Sequence, residues 1–577
     1  GGTLLAAAPA VAARAKLLDY ARFRRHVDRF NAEDPERPLN LIPNSAAWDW
    51  MTDNVPAFEC PDPQIEEIYW FRWWSYRKAL VRTPEGAISA TEFYARAPVS
   101  SAVGHHVMEG RWLRDRSWVD HILNYWLRPG PDGSPPKDLF RYSGWTIWAA
   151  YERWLVTGDT AWLRDMFEDF QSYYRGWERE RMNPDGSFWQ FDVRDAMEES
   201  ISGSRTDRNL RPPLNSYMYG NAIAMARIAR LLDREEVARG YDAKAATLKR
   251  VVQDRLWDAR ANFFKVRYVH PGKPDDDTLC DAREQIGFIP WYFDLPEQGQ
   301  GYEATWAQLR DPQGFDAPFG ITTAERRHPR FRYHVAGTCE WNGPVWPFAT
   351  SQTLTALGNV LCGRAQSQVS ARDYFEGVRT YAKATYREGK PYIGEYLDEV
   401  TGKYLHKDLE RGRHYNHSTF CDLVINGLVG LRPQPGNKLV VQPLIPADTW
   451  DWFALDGVAF IGLAARRLVG TWIAPRGLAR WRIAFLRRLV AGIVFAGRVR
   501  DRLDQAVAAR APREGCDPRI ELEAVERLAQ LAPGIGRVQE RTVRERRALQ
   551  QSGIAREQDA VLGARDRQQL LVVVIVA

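Results

Sequence analysis

The 577-residue sequence predicts an all-α fold in which helical hairpins form a closed ring or a stack. Apolar residues recur at spacings of three and four over most of the chain, as on the buried faces of amphipathic helices. The predicted helices occur in pairs roughly every 40–50 residues without an exact sequence repeat, which is typical of packed helical hairpins. In a ring, the loops at one end converge on a central cleft, so these loops are where we expect the chemistry.

The predicted helices begin near residue 65 and continue to residue 429. The first opens with an aromatic run at 65–74, and the others lie near 115–127, 143–156, 159–180, 216–232, 237–256, 301–309, 348–361, 370–387 and 417–429. The first strong strand signal is the apolar run 438–444. We therefore predict a helical domain at 21–435 and a short C-terminal β segment at 436–458. The loops that stand out contain Gly104-His105-His106, residues 188–203, residues 340–347 and residues 394–396.

Residues 1–20 begin with a short apolar run that ends in small residues. This pattern is typical of the end of a secretory signal, and a frayed Ala-rich terminus is the alternative. The first interpretation predicts a secreted or periplasmic protein, and a cytoplasmic protein is the alternative. No other stretch of the sequence reaches the roughly 20 apolar residues that a membrane span requires.

Residues 459–577 differ in composition from the rest of the chain. They contain 22 Arg and no Lys, and the last Tyr, His, Asn and Lys of the sequence all precede them. An out-of-frame translation of a GC-rich coding region would explain this composition, because GC-rich codons favour Arg and Ala. A low-complexity helical extension is the alternative. Under either interpretation, this atypical Arg/Ala-rich tail does not continue the helical domain.

The charge distribution argues against a polyanionic partner. The whole chain has a formal charge of +6. The 22 Arg and 12 acidic residues of 459–577 give +10 there, so residues 1–458 carry a charge of −4. A nucleic-acid-binding domain needs a basic face on its folded body, so we predict no nucleic-acid partner.

The aromatic residues and the cysteines narrow the chemistry further. The chain has 23 Trp, 23 Tyr and 24 Phe, and aromatic rings stack on sugar rings while indole and phenol groups bond sugar hydroxyls. The six Cys show no CxxC or zinc-ligand spacing. The aromatic content therefore favours a sugar substrate, with core packing as the commoner use of any single Trp. The cysteines indicate no metal site, hydrolysis by paired carboxylates would need no organic cofactor, and the oligomeric state stays open.

A dense cluster of carboxylates lies at residues 192–203, after the aromatic pair Phe188-Trp189. Hydrolysis of a glycosidic bond needs one carboxylic acid to protonate the leaving oxygen and a second carboxylate to activate water or attack carbon. Glu198 and Glu395 fit this requirement best, because both stand in loops with aromatic neighbours. Burial would raise the pKa of the acid and keep it protonated near neutrality.

Three acidic neighbours compete with Glu198 for the role of acid. Asp192 and Asp195 are alternative acids, and Glu199 is adjacent in the sequence. On helical geometry Asp195 and Glu198 would share a face. We therefore expect some of these carboxylates to bond loop amides or an Arg instead of substrate.

The stretches Asp195-Ala196-Met197-Glu198-Glu199-Ser200, Trp341-Asn342-Gly343-Pro344-Val345-Trp346-Pro347 and Gly394-Glu395-Tyr396, the last followed by Thr401-Gly402, occur in this order. Together they resemble the signature motifs of inverting (α/α)6-barrel glycosidases: trehalases, the processing α-glucosidases of glycoside hydrolase family 63, and especially the mannosylglycerate-hydrolase-like domains. The resemblance covers about residues 60–450, and three motifs in order are more specific than any one alone. It implies an (α/α)6 barrel that hydrolyses glycosides with inversion.

The resemblance also implies roles for individual residues. Glu198 falls at the position of the general acid, where these families usually have Asp, and Glu395 falls at the position of the general base. Ala196 stands where they usually have Gly, and Asn342 stands where they usually have Arg.

The predicted sugar contacts are aromatic and polar side chains from the same loops. They are Trp189, Trp341, Trp346, Tyr392 and Tyr396, together with Asp195, Asn342 and His417. His417 has an equally good interpretation as a structural histidine. The same holds for His105 and His106, which stand near the polar and aromatic residues Glu109, Arg111 and Trp112.

Two other classes of function stay open. A sugar epimerase or a polysaccharide lyase on a helical barrel would move the proton with His or Tyr. It would bring His105, His106, His414 or His417 together in the pocket instead of Glu198 and Glu395. A non-catalytic glycan-binding protein would bind a glycan without turnover.

Overall fold

The computed structural model describes residues 18–37, 39–93, 97–130, 133–134, 139–461, 463–473 and 480–485, with side chains through residue 461. The α-helices are α1 (Arg24–Glu33), α2 (Ala47–Asn54), α3 (Pro63–Ala79), α4 (Val103–Gly110), α5 (Ser117–Leu127), α6 (Thr146–Thr157), α7 (Thr160–Asp165), α8 (Phe167–Arg181), α9 (Pro212–Leu231), α10 (Glu235–Arg255), α11 (Pro347–Gly363) and α12 (Ala371–Ala384). Longer 3₁₀ segments occupy Gln285–Phe293 and Tyr302–Gln308, and a π-helix occupies Leu423–Leu428.

The strands are short until the C-terminal part of the described chain. They are β1 (Ala57–Glu59), β2 (Leu80–Arg82), β3 (Ile88–Ala90), β4 (Trp189–Gln190), β5 (Asn209–Leu210), β6 (Trp257–Asp258), β7 (Phe263–Phe264), β8 (Asp316–Ala317), β9 (Gly320–Ile321), β10 (Tyr386–Arg387), β11 (Lys390–Pro391), β12 (Leu431–Gln434), β13 (Lys438–Val441), β14 (Trp452–Phe460), β15 (Leu463–Ile473) and β16 (Arg480–Phe485). The fold is therefore helix-rich with small sheets.

Six inner helical segments follow one another through the domain. α4 packs against α6, α6 against α9, and α9 against the 3₁₀ segment Gln285–Phe293. That segment packs against α11, and α11 packs against the π-helix Leu423–Leu428. Between them in the chain lie α5, α8, α10 and α12, which pack against α4, α9, α9 and α11 respectively. The helical hairpins predicted from the sequence are therefore confirmed.

Glu109, at the end of α4, joins the first inner segment to the last. Its carboxylate accepts hydrogen bonds from the backbone N–H groups of Phe420, Cys421 and Asp422 at 3.1, 2.9 and 2.8 Å. A carboxylate placed at the first N–H groups of a helix satisfies donors that have no partner within that helix. Arg111 donates to the Asp422 carboxylate at 2.8 Å and reinforces the junction.

α3 is buried on nearly its whole surface, because α1, α2 and α12 all pack against it. Its Trp70, Trp73 and Trp74 have at most 1 % of their surface exposed. The buried guanidinium of Arg72 donates to the Tyr381 hydroxyl at 2.8 Å. Buried charges are stable only with such partners, so α3 ties its neighbours together through both apolar packing and hydrogen bonds.

A four-stranded antiparallel sheet closes the described chain, in the order β1-β14-β15-β16. β1 precedes α3 in the sequence, yet Ala57 pairs with Asp456 of β14. β12 and β13 form a separate hairpin. Strands extend beyond both ends of the β segment predicted at 436–458. β12 begins before it, and β15 and β16 continue the sheet into the Arg/Ala-rich tail, so β14 is paired on both edges.

The structure differs from the sequence prediction in several helical segments. Gly104, His105 and His106 were expected in a loop and lie in α4. The predicted helix at 159–180 divides into α7 and α8 at Met166. The inner segment Gln285–Phe293 was not predicted, because its internal Pro290 and its 3₁₀ geometry break the helical pattern.

The remaining sequence predictions concern membrane segments and the two ends of the chain. Among the described residues no helix is long and apolar enough to cross a bilayer. Residues 1–17 of the predicted signal-like segment lie outside the described residues, as does the part of the Arg/Ala-rich tail after residue 485.

Candidate active site

The acid loop, residues 192–203, is held between two short strands. β4 and β5 pair antiparallel, with Trp189 opposite Leu210. Within the loop, Ala196 and Glu199 have φ of 59° and 57°, and the left-handed region costs a residue other than Gly roughly 1–2 kcal/mol. This backbone conformation explains why Gly is usual at the position of Ala196 in the glycosidases that this motif resembles.

A buried ion pair anchors the acid loop. The Asp195 carboxylate accepts hydrogen bonds from Arg211 Nε at 2.6 Å and from the Ser143 hydroxyl at 2.5 Å. Neither charged side chain has any exposed surface. Burial raises the pKa of Asp195, and the neighbouring Arg211 opposes that rise. The structure therefore places Asp195 in support of the loop, which differs from its predicted roles as a sugar contact or an alternative acid.

Glu198 presents a carboxyl group suited to an acid. Burial, together with the charges of Glu92 and Asp192, raises its pKa to about 7. Among the described residues, no side chain forms an ion pair or a hydrogen bond with this carboxyl group. The residue keeps some exposed surface, so Glu198 can hold a proton near neutrality and still reach a ligand.

The second motif is bonded directly to the acid loop, and the residues after the third motif are bonded to the second. The backbone N–H of Trp341 donates to the carbonyl oxygen of Glu198 at 3.0 Å. Val345 and Leu397 exchange two backbone hydrogen bonds of 3.0 Å each. Glu395 lies two residues from Leu397, so the structure brings together the three motifs that are far apart in the sequence.

Three of the predicted sugar contacts form one aromatic stack. Trp341 stacks on Trp346 with ring centroids 4.4 Å apart, and Trp346 stacks on Tyr396 at 4.7 Å. Each of these side chains is at most 3 % exposed. Because the rings stack on one another, their faces are not free to stack on a sugar. Their contacts stabilise the loop that carries Glu395.

Glu395 lies at the end of this stack and is almost fully buried. Burial and the charge of Glu92 raise its pKa to about 8. Two donors oppose that rise: Arg411 Nη1 bonds Oε1 at 3.0 Å, and the Cys339 thiol lies 3.5 Å from Oε2. Hydrogen bonds to the charged form favour it, so these donors stabilise an ionised Glu395.

Glu92 is a third carboxylate of the site, and the sequence did not single it out. Its charge contributes to the raised pKa of both Glu198 and Glu395, so it lies near both groups. His417 Nδ1 is 3.2 Å from Glu92 Oε1, and the backbone N–H of Asn416 donates to the Glu92 carbonyl at 2.7 Å. The predicted site residue His417 thus contacts a carboxylate of the site.

Three other predicted sugar contacts are engaged elsewhere. Trp189 lies under the guanidinium of Arg208, which is 4.5 Å from the ring centroid. Tyr392 belongs to a separate apolar cluster and packs edge-on against Tyr404 at 4.7 Å. Asn342 is fully buried, and its side-chain amide donates to a backbone carbonyl of the preceding loop at 2.8 Å.

The histidines do not replace the carboxylates as the centre of the site. His105 and His106 are buried in α4, and burial lowers the pKa of both. His414 faces Asp34 at 3.5 Å and burial lowers its pKa to about 4. His417, whose ring is 5.3 Å from that of His105, is the histidine among these four that reaches a carboxylate of the site.

Two tyrosines beside the acid loop keep exposed surface, and no sequence motif marks them. Tyr333 is 51 % exposed. The charges of Glu199 and Asp192 contribute to its raised pKa, after the larger effect of burial. Tyr142 is partly exposed, and the charge of Glu198 contributes in the same way to its raised pKa. Guanidinium groups lie 5.3–5.6 Å from the centroids of both rings, yet both side chains keep the exposed surface that the stacked tryptophans lack.

Comparison with known families gives one match that includes most of this site. The model described as the mannosylglycerate hydrolase MGH1-like glycoside hydrolase domain matches residues 96–418, which is more than half of the chain. The matched region contains Glu198, Glu395 and Arg411, and it begins just after Glu92.

Among solved structures, one described as a sialidase is 44% identical, with a TM-score of 0.75. The match covers 79% of this chain and 42% of that chain, so this chain spans less than half of that protein's length. A family GH78 rhamnosidase of Bacillus sp. GL1 is 13% identical, with a TM-score of 0.52, over 74% of this chain and 41% of that one. The second similarity shows the fold alone.

A curated protein from Borreliella burgdorferi strain B31 is also similar. It is 20% identical over 346 residues, which cover 58% of this chain and 68% of that protein. Its description, uncharacterized protein, names no activity.

Proposed function

The chain belongs to the mannosylglycerate hydrolase MGH1-like glycoside hydrolase domain family, and we propose that it hydrolyses a glycosidic bond with inversion, with Glu198 as general acid and Glu395 as general base. The substrate is a glycoside or an oligosaccharide. The observation that carries this proposal is the pair of carboxyl groups on loops that are joined through the second motif. Their pKa values are raised to about 7 for Glu198 and about 8 for Glu395, an order that does not by itself assign the acid and the base. Two titratable carboxyl groups in unlike surroundings are what this chemistry requires.

The hydrogen-bond partners support the division of roles. Arg411 and Cys339 both donate toward Glu395, which favours the ionised form that a base needs. Glu198 has no such donor from a described side chain, and its burial favours the protonated form that an acid needs. Glu92 adds a negative charge near both groups, and this charge suits a site in which positive charge develops on the sugar ring.

The reaction follows from these assignments. The Glu198 carboxyl group gives its proton to the glycosidic oxygen as the bond from that oxygen to the anomeric carbon breaks. The Glu395 carboxylate takes a proton from a water molecule whose oxygen attacks the anomeric carbon from the opposite face. The products are an alcohol and a free sugar of inverted configuration. Glu198 is left ionised and Glu395 protonated, and exchange with solvent restores both.

We further propose that the helical hairpins form an (α/α)6 barrel over residues 21–435. The chain of contacts from α4 to the π-helix Leu423–Leu428 contains six inner segments, and the bonds of Glu109 to the start of the last helix support a closed ring. Closure would bring the three motif loops to one end of the ring. A crystal structure with fewer or more than six inner helices would contradict this arrangement.

Matched substitutions test the catalytic pair. We expect Glu198→Gln and Glu395→Gln each to lower kcat by about 10²–10⁴-fold while the protein stays folded. Glu199→Gln is the control, because Glu199 is adjacent to the acid but pairs with Arg205 at 2.7 Å near the surface. Equal activity of Glu198→Gln and Glu199→Gln would contradict the assignment of Glu198.

The leaving group separates the acid from the base. An aryl glycoside with an acidic phenol needs little proton donation, so the loss in Glu198→Gln should be much smaller on this substrate than on an alkyl glycoside. Glu395→Gln should lose activity equally on both. The reversed pattern would exchange the two roles.

NMR of the first product formed gives the anomeric configuration, and retention would contradict an inverting mechanism. The substrate panel should include α-mannosides, α-glucosides, α-rhamnosides and sialosides.

We also propose that the protein is exported, on the evidence of the signal-like run in residues 1–20. Fractionation of the native host with an antibody against residues 21–435 tests this proposal. Detection in the cytosolic fraction alone would contradict it.

A further inference from the structure

A thiol, a carboxylate and an imidazole converge beside the proposed base. Cys339 Sγ lies 3.5 Å from Glu395 Oε2, and His406 Nε2 lies 3.7 Å from the same oxygen. One ligand atom from each of the three residues can be chosen so that all lie within 4.8 Å of one another. The residues are far apart in the sequence, so ligand spacing could not have shown this cluster.

Two of the three ligand separations suit a transition-metal ion, and the third is within 4.8 Å. Zn²⁺ binds Cys sulfur at about 2.3 Å and His nitrogen or carboxylate oxygen at about 2.0–2.2 Å, in a tetrahedron. Two ligand atoms of such a tetrahedron are therefore about 3.3–3.6 Å apart. The separations from Glu395 Oε2 to Cys339 Sγ and to His406 Nε2 are close to these values before any adjustment of the side chains.

The imidazole of His406 is already oriented as a ligand. Arg411 Nη1 donates to His406 Nε2 at 2.8 Å, so this nitrogen carries a lone pair. The other ring nitrogen, Nδ1, lies 2.8 Å from the backbone carbonyl oxygen of Asp408 and 3.0 Å from its backbone nitrogen. With the lone pair on Nε2, the neutral ring carries its proton on Nδ1, and the carbonyl oxygen accepts it. Metal-bound histidines commonly donate their second ring N–H to a carbonyl or carboxylate in this way.

Arg411 occupies the space that a cation would take. It bonds both Glu395 Oε1 and His406 Nε2, yet its side chain is 33 % exposed. The guanidinium can therefore turn into solvent when a divalent ion replaces it. Arg411 therefore supplies the positive charge beside Glu395 and His406 that a divalent ion would replace.

We propose that Cys339, Glu395 and His406 form a binding site for Zn²⁺ or a similar thiophilic cation. The thiol releases its proton to solvent on binding, and water or substrate fills the fourth position. Because the ion takes an oxygen of Glu395, binding removes the proposed base, and turnover stops. This second consequence rests on the proposed function, whereas the site itself does not.

Direct binding of Zn²⁺ tests the site. The full chain is freed of metal with a chelator and titrated with Zn²⁺ in a calorimeter, and a chromogenic chelator measures the affinity by competition. We expect one ion per chain at this site. Cys339→Ser and His406→Gln should each weaken its binding by at least about 100-fold. Cys362→Ser is the control, because Cys362 is also partly buried but lies in α11, and it should bind as the wild type does.

Arg411→Gln gives a test that misfolding could not imitate. Removal of the positive charge that competes for the site should strengthen Zn²⁺ binding by roughly tenfold or more. The absence of one-to-one binding, equal affinity in Cys339→Ser, or weaker affinity in Arg411→Gln would each overturn the proposed site.

Inhibition distinguishes the site from the proposed function. On an active glycoside, Zn²⁺ should inhibit the wild type and the Cys362→Ser variant at the concentration at which it binds. If Zn²⁺ binds with the expected dependence on Cys339 and turnover continues, the metal site stands and Glu395 is not the base. If turnover depends on Glu395 and Zn²⁺ does not bind, the proposed function stands and the metal site fails.

Discussion

Individual residues of the acid loop divide into the proposed acid and the residues that hold the loop. Asp195 is fully buried in its ion pair with Arg211, and removal of one partner of such a pair typically costs about 3–5 kcal/mol. Glu199 pairs with Arg205 near the surface. Glu198, between them, has neither kind of partner among the side chains that the structure describes. A general acid must be protonated before it reacts, and an ion pair would favour its ionised form. The absence of a charged partner therefore suits Glu198 to this role.

At the same scale, Tyr333 is the side chain that we expect to contact the sugar from outside the three motifs. Its ring is 51 % exposed beside the acid loop. An aromatic contact contributes about 0.5–1.5 kcal/mol, so Tyr333→Ala should raise KM about 2–10-fold with little change in kcat. Tyr333→Phe keeps the ring and should stay close to the wild type. Steady-state kinetics on an oligosaccharide measure both. An unchanged KM in Tyr333→Ala would remove this residue from the site.

At the scale of elements, one carboxylate secures the junction between the first and last inner segments. Glu109→Ala would leave three backbone N–H groups without their acceptor. It would also remove a negative charge that interacts with the buried guanidinium of Arg72. We expect a loss of roughly 3–5 kcal/mol in the free energy of unfolding. Glu109→Gln keeps an acceptor and should lose less. Urea denaturation followed by tryptophan fluorescence measures both.

Glu168→Ala is the control for this prediction, because Glu168 is 69 % exposed in a surface pair with Arg234. Such pairs contribute about 0–1 kcal/mol. If Glu109→Ala destabilised the protein no more than Glu168→Ala, the junction would not depend on this carboxylate.

The sequence predicts those elements whose local pattern matches their environment. α9 and α10 repeat apolar residues with helical spacing and were located within a few residues. Gly104 misled the prediction, because glycine usually marks a turn. Here it is needed for close packing, since a Cβ at this position would lie 2.3 Å from the ring of Trp145. Local sequence carries no record of such a tertiary contact.

The same limit applies to the site. Glu198 and Glu395 were found because each lies in a motif. Glu92, Arg411 and Cys339 act through contacts between distant parts of the chain, and nothing adjacent to them in the sequence indicates those contacts. For example, the guanidinium of Arg411 lies over the ring of Phe93. These residues are more than 300 positions apart in the sequence, so only the folded structure shows this contact.

At the scale of the whole molecule, the site should make stability depend on pH in an unusual direction. Burial raises the pKa values of Glu198 and Glu395 from 4.5 to about 7 and about 8. Between pH 4.5 and about pH 8 the folded state binds more protons than the unfolded state. The free energy of unfolding therefore falls as pH rises through this range. The stability that comes from these protons is complete below pH 4.5 and is lost as pH passes 7 to 8. Most paired carboxylates act in the opposite direction.

Glu395→Gln tests this dependence, because it replaces a carboxyl group that must ionise in a buried place with a neutral amide. Near pH 5 the variant and the wild type should be about equally stable. Near pH 9 the variant should be more stable by roughly 2–4 kcal/mol. The loss of the ion pair between Arg411 and Glu395 reduces this gain. Urea denaturation at pH 5, 7 and 9 gives the two curves, and Glu199→Gln, at the surface, should follow the wild type throughout. If the free energy of unfolding had the same pH dependence in Glu395→Gln and in the wild type, the environment of Glu395 would not disfavour its ionised form. The molecule would then lack the conflict between stability and activity that a buried catalytic carboxylate imposes.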